Sequence, residues 1–198
     1  MRDLAGGPRR FVELQRVLPG ISTEQLRSRL NRMVADGLLT RQRYREVPPR
    51  VDYELTERSR ELLPVLGALA RWGYDWTWSS PKPGEDVNVG AIFRLAPGLL
   101  EPAPDVSGSL DLVVLAEGDE PELRFRLTAE NGQATIAERE LDGRSDATVT
   151  GSRADWVRAL GPEGSLDALD VRGPQALADA LLGGFVRAAQ HRAAVRAA

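Results

Sequence analysis

Cysteine is absent from all 198 residues. That excludes disulfides, thiolate nucleophiles, cysteine-ligated zinc and thiol-based redox sensing. The single histidine, His191, sits in an Ala/Arg-rich tail, so neither a histidine triad nor a multi-histidine metal cluster can be assembled. Lysine is nearly as scarce, with Lys82 alone among 26 basic residues. No apolar run approaches the roughly 18 residues of a membrane span. The N-terminus carries no signal-peptide pattern, and a cytoplasmic location is expected. The glycine doublets Gly6-Gly7 and Gly183-Gly184 are too short for phosphate-binding loops. Glu117 and Asp119 lie in a predicted turn, and Arg139, Glu140 and Asp142 read as a solvated edge. No catalytic residue, metal ligand or cofactor is therefore assigned, and the chain is not read as an enzyme.

Charge is unevenly shared. Residues 1–80 hold 14 arginines and 10 acidic residues, net +4, whereas residues 81–198 are net −7 within a chain of net −3. Only the front half has a nucleic-acid footprint. Within it, Ser22 followed three residues later by Gln25 is a capping box, with Ile21 and Leu26 placed as a hydrophobic staple. The spacing predicts a helix from there to about Asp36, closed by Gly37 at the left-handed C′ position. A short apolar helix, Phe11 to Leu18, precedes it across a Pro19-Gly20 turn. Two short helices joined by a tight turn form a helix-turn-helix.

Leu26, Leu30, Met33 and Val34 make one apolar stripe on the second helix. The opposite side carries Glu24, Gln25, Ser28, Asn31 and Arg32, flanked by Arg27 and Arg29. Such side chains hydrogen-bond base edges in the major groove. Leu38–Tyr44 and Val51–Leu55 read as a hairpin with Pro48-Pro49 at its tip. Arg41, Arg43, Arg45 and Arg50 cluster on or beside it, suited to phosphates. The expected DNA contacts are Thr23, Gln25, Ser28, Arg29, Arg32, Arg43, Arg45 and Arg50. Thr56 is the expected N-cap of one long helix over Glu57–Trp76, and Ser79–Gly84 the expected domain connection.

Several fragments of this half resemble the HxlR-type winged helix-turn-helix regulators. They are Gly7-Pro8-Arg9-Arg10-Phe11, Leu18-Pro19-Gly20-Ile21-Ser22, Asp36-Gly37-Leu38-Leu39, Val47-Pro48-Pro49-Arg50-Val51-Asp52-Tyr53 and Leu55-Thr56. The set runs in order over residues 4–75. The resemblance implies a cytoplasmic, homodimeric transcription factor on a two-fold double-stranded DNA operator. Members begin with a further helix and a cysteine, so by this resemblance the chain starts inside the second helix.

The remainder reads as α+β, giving an α+β chain of two domains, residues 1–80 and 85–198. A helix is expected from Val89 to Leu95 or Leu100, broken by Ala96-Pro97-Gly98. Alternation predicts strands over Gly108–Leu115 and Glu122–Thr128, then Ala134–Glu140, Asp146–Gly151 and Leu169–Gly173. Asn131-Gly132 is a hairpin signal. Helices are expected around Ala154–Leu160 and from Pro174 onward. Asp146-Ala147-Thr148-Val149-Thr150 with a following helix, then Val171-Arg172-Gly173 and a Leu-rich helix ending in Phe185, resembles the sterol-carrier-protein fold over about residues 88–190. That resemblance implies an apolar ligand, with Ile92, Phe93, Phe125, Trp156, Leu181 and Phe185 as the expected lining. Three functions follow: a DNA-binding regulator modulated by an apolar small molecule, a lipid carrier with a vestigial DNA-binding half, or an interaction module with a purely structural second half.

Overall fold

The computed structural model describes all residues except 19, 46–49, 77–86, 119–121, 139–141, 162–163, 184 and 186–198. Two compact units divide the chain, Met1–Leu63 and Pro64–Ala198. The expected Ser79–Gly84 connection, the Pro48-Pro49 tip, Asp119, Arg139, Glu140 and His191 lie outside the described residues.

In the first unit, β1 (Arg9–Arg10) leads directly into α1 (Phe11–Arg16), followed by α2 (Thr23–Ala35), the hairpin β2 (Leu39–Tyr44) and β3 (Arg50–Leu55), and α3 (Glu57–Arg60). The sheet order is β1-β3-β2, antiparallel throughout, with Leu39 opposite Leu55 and Tyr44 opposite Arg50. Leu14 of α1, Leu26 and Leu30 of α2, Leu39 of β2, and Tyr53 and Leu55 of β3 meet in a common core. Beyond Leu39, every residue of β2 is exposed, so that strand leaves the core and projects outward. This is a helix-turn-helix followed by a wing.

The long helix expected over Glu57–Trp76 is two helices, α3 and α4 (Leu63–Trp76). Pro64 explains the break. It has no N–H to donate back into α3, yet it is tolerated in the first turn of a new helix. Val65, Leu69, Trp72 and Trp76 stand out from α4, each more than half exposed.

In the second unit, five strands make a mixed sheet: β4 (Gly108–Val114), β5 (Leu123–Glu130), β6 (Gln133–Glu138), β7 (Ala147–Gly151) and β8 (Asp170–Arg172). Their order is β6-β5-β4-β7-β8, and only the central pair β4 and β7 is parallel. Asn131 and Gly132, both at positive φ, form the tight turn from β5 to β6. Leu110, Leu112 and Val114 alternate toward a core shared with Phe125, Leu127, Ile136 and Val149. Over that face lie α5 (Val89–Phe93), α6 (Ala96–Leu99), α7 (Arg153–Leu160) and a C-terminal helix over residues 175–183, here α8. Ala96-Pro97-Gly98 does not break a helix but opens α6, because proline fits the first turn of a helix.

The opposite face of this sheet holds a buried ion network. Asp111, 1 % exposed, takes a two-pronged ion pair from Arg126 across the β4–β5 ladder at 2.7 and 2.9 Å, and accepts from the Ser145 hydroxyl. Arg126 also reaches Asp142 at 2.7 Å. Asp142 is exposed, as a solvated edge requires, and joins the network at its outer end. Hydrogen bonds to Asp111 and then Asp142 hold the Arg126 pKa above its ordinary value. Asp146 accepts the Ser109 backbone N–H and then its hydroxyl, which lowers its pKa. These three contacts pin the segment that carries the chain from β6 across to β7.

Two outcomes follow. Arg126→Met leaves the buried Asp111 carboxylate uncompensated and should cost about 3–5 kcal/mol in urea unfolding; a loss below about 1 kcal/mol would show that water already reaches the pair. Because the folded pKa of Asp146 is depressed, its stabilisation is present above the unfolded value of about 3.9 and is lost as pH falls through the lower folded value. The stability gap between wild type and Asp146→Asn should be open at pH 7 and narrow below about pH 4. A gap independent of pH would contradict this.

Candidate nucleic-acid interface

The orientation of α2 is set at both of its ends. At the start, the Ser22 hydroxyl accepts the Gln25 N–H and the Gln25 Oε1 accepts the Ser22 N–H, each at 3.2 Å. Ile21 packs against the cluster that contains Leu26, as the staple requires. Gln15 of α1 donates to the Thr23 hydroxyl at 3.0 Å, linking the two helices across the turn. At the end, Gly37 takes φ 70°. The Gly37 N–H then returns to the Val34 carbonyl, and the Leu38 N–H to the Met33 carbonyl. That is the Schellman closure.

So held, α2 buries Leu26 and Leu30 and exposes Gln25, Arg27, Ser28, Arg29, Asn31 and Arg32. The expected readers are not equally available. Gln25 is pinned to the cap by its carbonyl oxygen, and Thr23 is engaged by Gln15. Arg27 makes a weak exposed pair with Glu24 at 3.3 Å, and Arg32 with Asp36 at 3.8 Å. Such pairs contribute little and yield readily to a stronger anion. Ser28, Arg29 and Asn31 have no side-chain hydrogen bond or ion pair among the described residues.

The wing arginines divide in the same way. Arg43 and Arg45 are exposed and carry no ion pair among the described residues. Arg50 is committed: its guanidinium holds Asp52, 1 % exposed, at 2.6–2.9 Å and lies over the Tyr44 ring at 5.3 Å. Asp52 lies between Arg10 and Gln42 in the sheet, so Arg50 neutralises a carboxylate buried inside the hairpin. Arg41 sits over the ring of Tyr53, its cross-strand neighbour, at 6.0 Å. Between α2 and the wing is a cleft of about 310 Å³ lined by Phe11, Arg27, Asn31, Arg41, Val51 and Tyr53. Asn31 on the polar face of α2, Arg27 on its flank and Arg41 on the wing were legible in the sequence, but fall outside the eight expected contacts. The available signals were the four-residue spacing of Arg27 and Asn31 and the two-residue spacing of Arg41 and Arg43.

The expected ligand-lining residues also converge, but as core. Ile92, Phe93, Phe125, Trp156, Leu181 and Phe185 are all buried members of one cluster. Phe93 meets Phe125 and Trp156 edge-on, with centroids 5.4 and 4.9 Å apart. The Trp156 indole N–H donates to the Val113 carbonyl at 2.8 Å. A ligand among them would have to displace these contacts. Glu138 enters the same side of the sheet and pairs with the buried Arg94, which lies over the Phe125 ring. Among the described residues no cluster of His, Asp or Glu could hold a metal, and no helix is long and apolar enough to cross a membrane.

The chain's likeness to known proteins extends over the first unit and on through α4. The family described as HxlR-like helix-turn-helix matches residues 1–81. An uncharacterized HTH-type transcriptional regulator of Synechocystis sp. is 46% identical over 76 residues, 38% of this chain and 56% of that protein. In Bacillus subtilis, the regulator YkvN is 41% identical over 35% of this chain and 59% of its own length. YvaP of the same organism is 34% identical over 37% and 68%. The chain thus spans a little over half the length of the first curated relatives it matches. Among solved structures, the HTH-type transcriptional regulator ytcD is 41% identical, with 36% of this chain and 72% of that one covered and a TM-score of 0.35. The redox regulator HypR in its reduced form is 38% identical over 36% and 70%, also at 0.35. Through its first 81 residues, this chain belongs to the HxlR-like helix-turn-helix family of transcriptional regulators.

Proposed function

We propose that this protein is a cytoplasmic transcriptional regulator that binds double-stranded DNA as a homodimer, with α2 in the major groove and the β2–β3 wing along the backbone. The observation that carries the reading is the run of cationic and amide side chains across the cleft: Arg27 and Asn31 on one wall, Arg41 on the other, with Arg43 and Arg45 beyond. Ser28, Arg29 and Arg32 supply the base-directed face of α2, where arginine can take a guanine edge in two hydrogen bonds. Gln25 and Thr23 fix the pose of the helix, and Arg50 keeps the wing folded around Asp52.

The dimer is supported by α4. Val65, Leu69 and Trp76 recur at spacings of four and seven, and all are exposed. That spacing supports a seam between the α4 helices of two copies. For the second unit we propose a sterol-carrier-like domain. The central parallel pair, with α7 following β7 and an apolar helix after β8, supports that reading.

Binding to duplex DNA, followed by fluorescence anisotropy across a salt series, tests the interface. Arg43→Ala and Arg45→Ala should each lower the slope of log K against log salt by roughly 0.9, the effect of one lost phosphate contact. Arg50→Ala should instead destabilise the first unit, by about 3–5 kcal/mol if Asp52 is left buried and uncompensated. Unchanged affinity and slope in both Arg43→Ala and Arg45→Ala would remove the wing from the backbone. Val65→Glu with Leu69→Glu should convert the protein to monomers in sedimentation. An unchanged dimer mass would place the interface elsewhere.

A further inference from the structure

We infer that the cleft between α4 and α6 of the second unit is a binding site for a small planar aromatic carboxylate. The inference concerns that unit alone and stands whether or not the first unit binds DNA. The cleft has a volume of about 440 Å³, within the range of sites for small molecules. Pro64, Ala68 and Trp72 of α4 form one wall; Pro97 and Leu100 form the other. The two sides cannot close or drift apart freely, because they touch backbone to backbone. A Cβ built on Gly67 would lie 2.1 Å from the Gly98 Cα. Glycine at that crossing keeps the walls at one separation, so the cleft is formed before anything enters it.

Its polar end is Arg71. One terminal nitrogen donates to the Gly98 carbonyl at 3.1 Å and the other to Glu101 at 2.8 Å, while Nε is buried with no acceptor among the described residues. A buried donor without an acceptor is uncommon and costly. Once Glu101 is displaced and the guanidinium turns toward the cleft, a carboxylate would supply that acceptor and complete the two-pronged geometry that a guanidinium favours. Glu101 is the competing anion. It is largely exposed, its pair with Arg71 is of the weak surface kind, and it can swing into water as the ligand arrives. The Trp72 ring, more than half exposed, is a stacking face, and the two prolines present flat apolar surfaces. These features together select a flat aromatic body with one carboxylate. A phosphate would need more donors than Arg71 has left.

The probe is 1-naphthoate, with 1-naphthalenemethanol as its neutral counterpart, titrated calorimetrically into the full chain. Naphthoate should bind one site per chain, and the alcohol about tenfold more weakly or worse. Arg71→Met should weaken naphthoate by about tenfold and leave the alcohol unchanged. Ala68→Trp fills the cleft from an exposed position, so it should abolish binding of both without altering thermal unfolding. The inference is overturned if naphthoate binding survives Ala68→Trp, if acid and alcohol bind equally, or if no binding heat appears at about 1 mM naphthoate.

Discussion

The relation between α2 and the wing is decided at one junction, where the end of the helix meets the start of α3. Gly37 turns the chain out of α2 at a φ that side-chain-bearing residues rarely adopt. The carbonyls released by that turn do not face water unpaired. The Thr56 hydroxyl donates to the Gly37 carbonyl at 2.9 Å, and the Leu38 carbonyl takes the Thr56 N–H at 3.2 Å and the buried Ser59 hydroxyl at 2.6 Å. Thr56 also caps α3 through the Ser59 N–H. One threonine and one serine thus tie the end of α2, the base of the hairpin and the start of α3 together. Leu39 and Leu55, opposite each other in the first rung of the ladder, seal the junction from the apolar side. The proposed DNA interface depends on it, because a helix and a wing that moved independently could not present Arg27, Asn31 and Arg41 around one cleft.

The two units handle buried charge by the same device. In each, an arginine neutralises an aspartate on the sheet face away from the apolar core: Arg50 on Asp52, Arg126 on Asp111. Removing either arginine exposes the full desolvation cost of the carboxylate. This separates arginines that hold the fold from arginines free to meet an external anion. In the wing, the separation is between Arg50 on one side and Arg43 and Arg45 on the other.

What was legible in the sequence was local. The Ser22–Gln25 box, the Gly37 stop, the Thr56 cap and the Asn131-Gly132 turn are each specified within about four residues, and each is present in the structure. Strand positions followed from alternation because each sheet has one apolar face. Long-range pairing was not legible. Nothing in the spacing of Asp111, Arg126 and Asp142 marks them as one network, since the ladder register brings them together. Pro64 did carry a signal for the break between α3 and α4, but the apolar stripe running through it favoured a single helix. The apolar residues of the second unit pose a different difficulty. Alternation identifies Phe125 and Leu127 as inward-facing equally well whether the interior is packed or hollow. Only the edge-on contacts of Phe93 with Phe125 and Trp156 show how that space is used.

The central claim, that α2 and the wing together form a sequence-reading surface, is tested most directly by letting the protein choose. The full chain is used to select from a library of randomised duplex DNA at low salt, and the bound pool is sequenced. The account predicts enrichment of an inverted repeat with half-site centres about 10 base pairs apart, the spacing set by two reading helices on one face of the duplex. It further predicts that Arg32→Ala loses preference at one symmetric pair of positions while keeping the repeat. A folded protein that leaves the library unenriched would contradict the account.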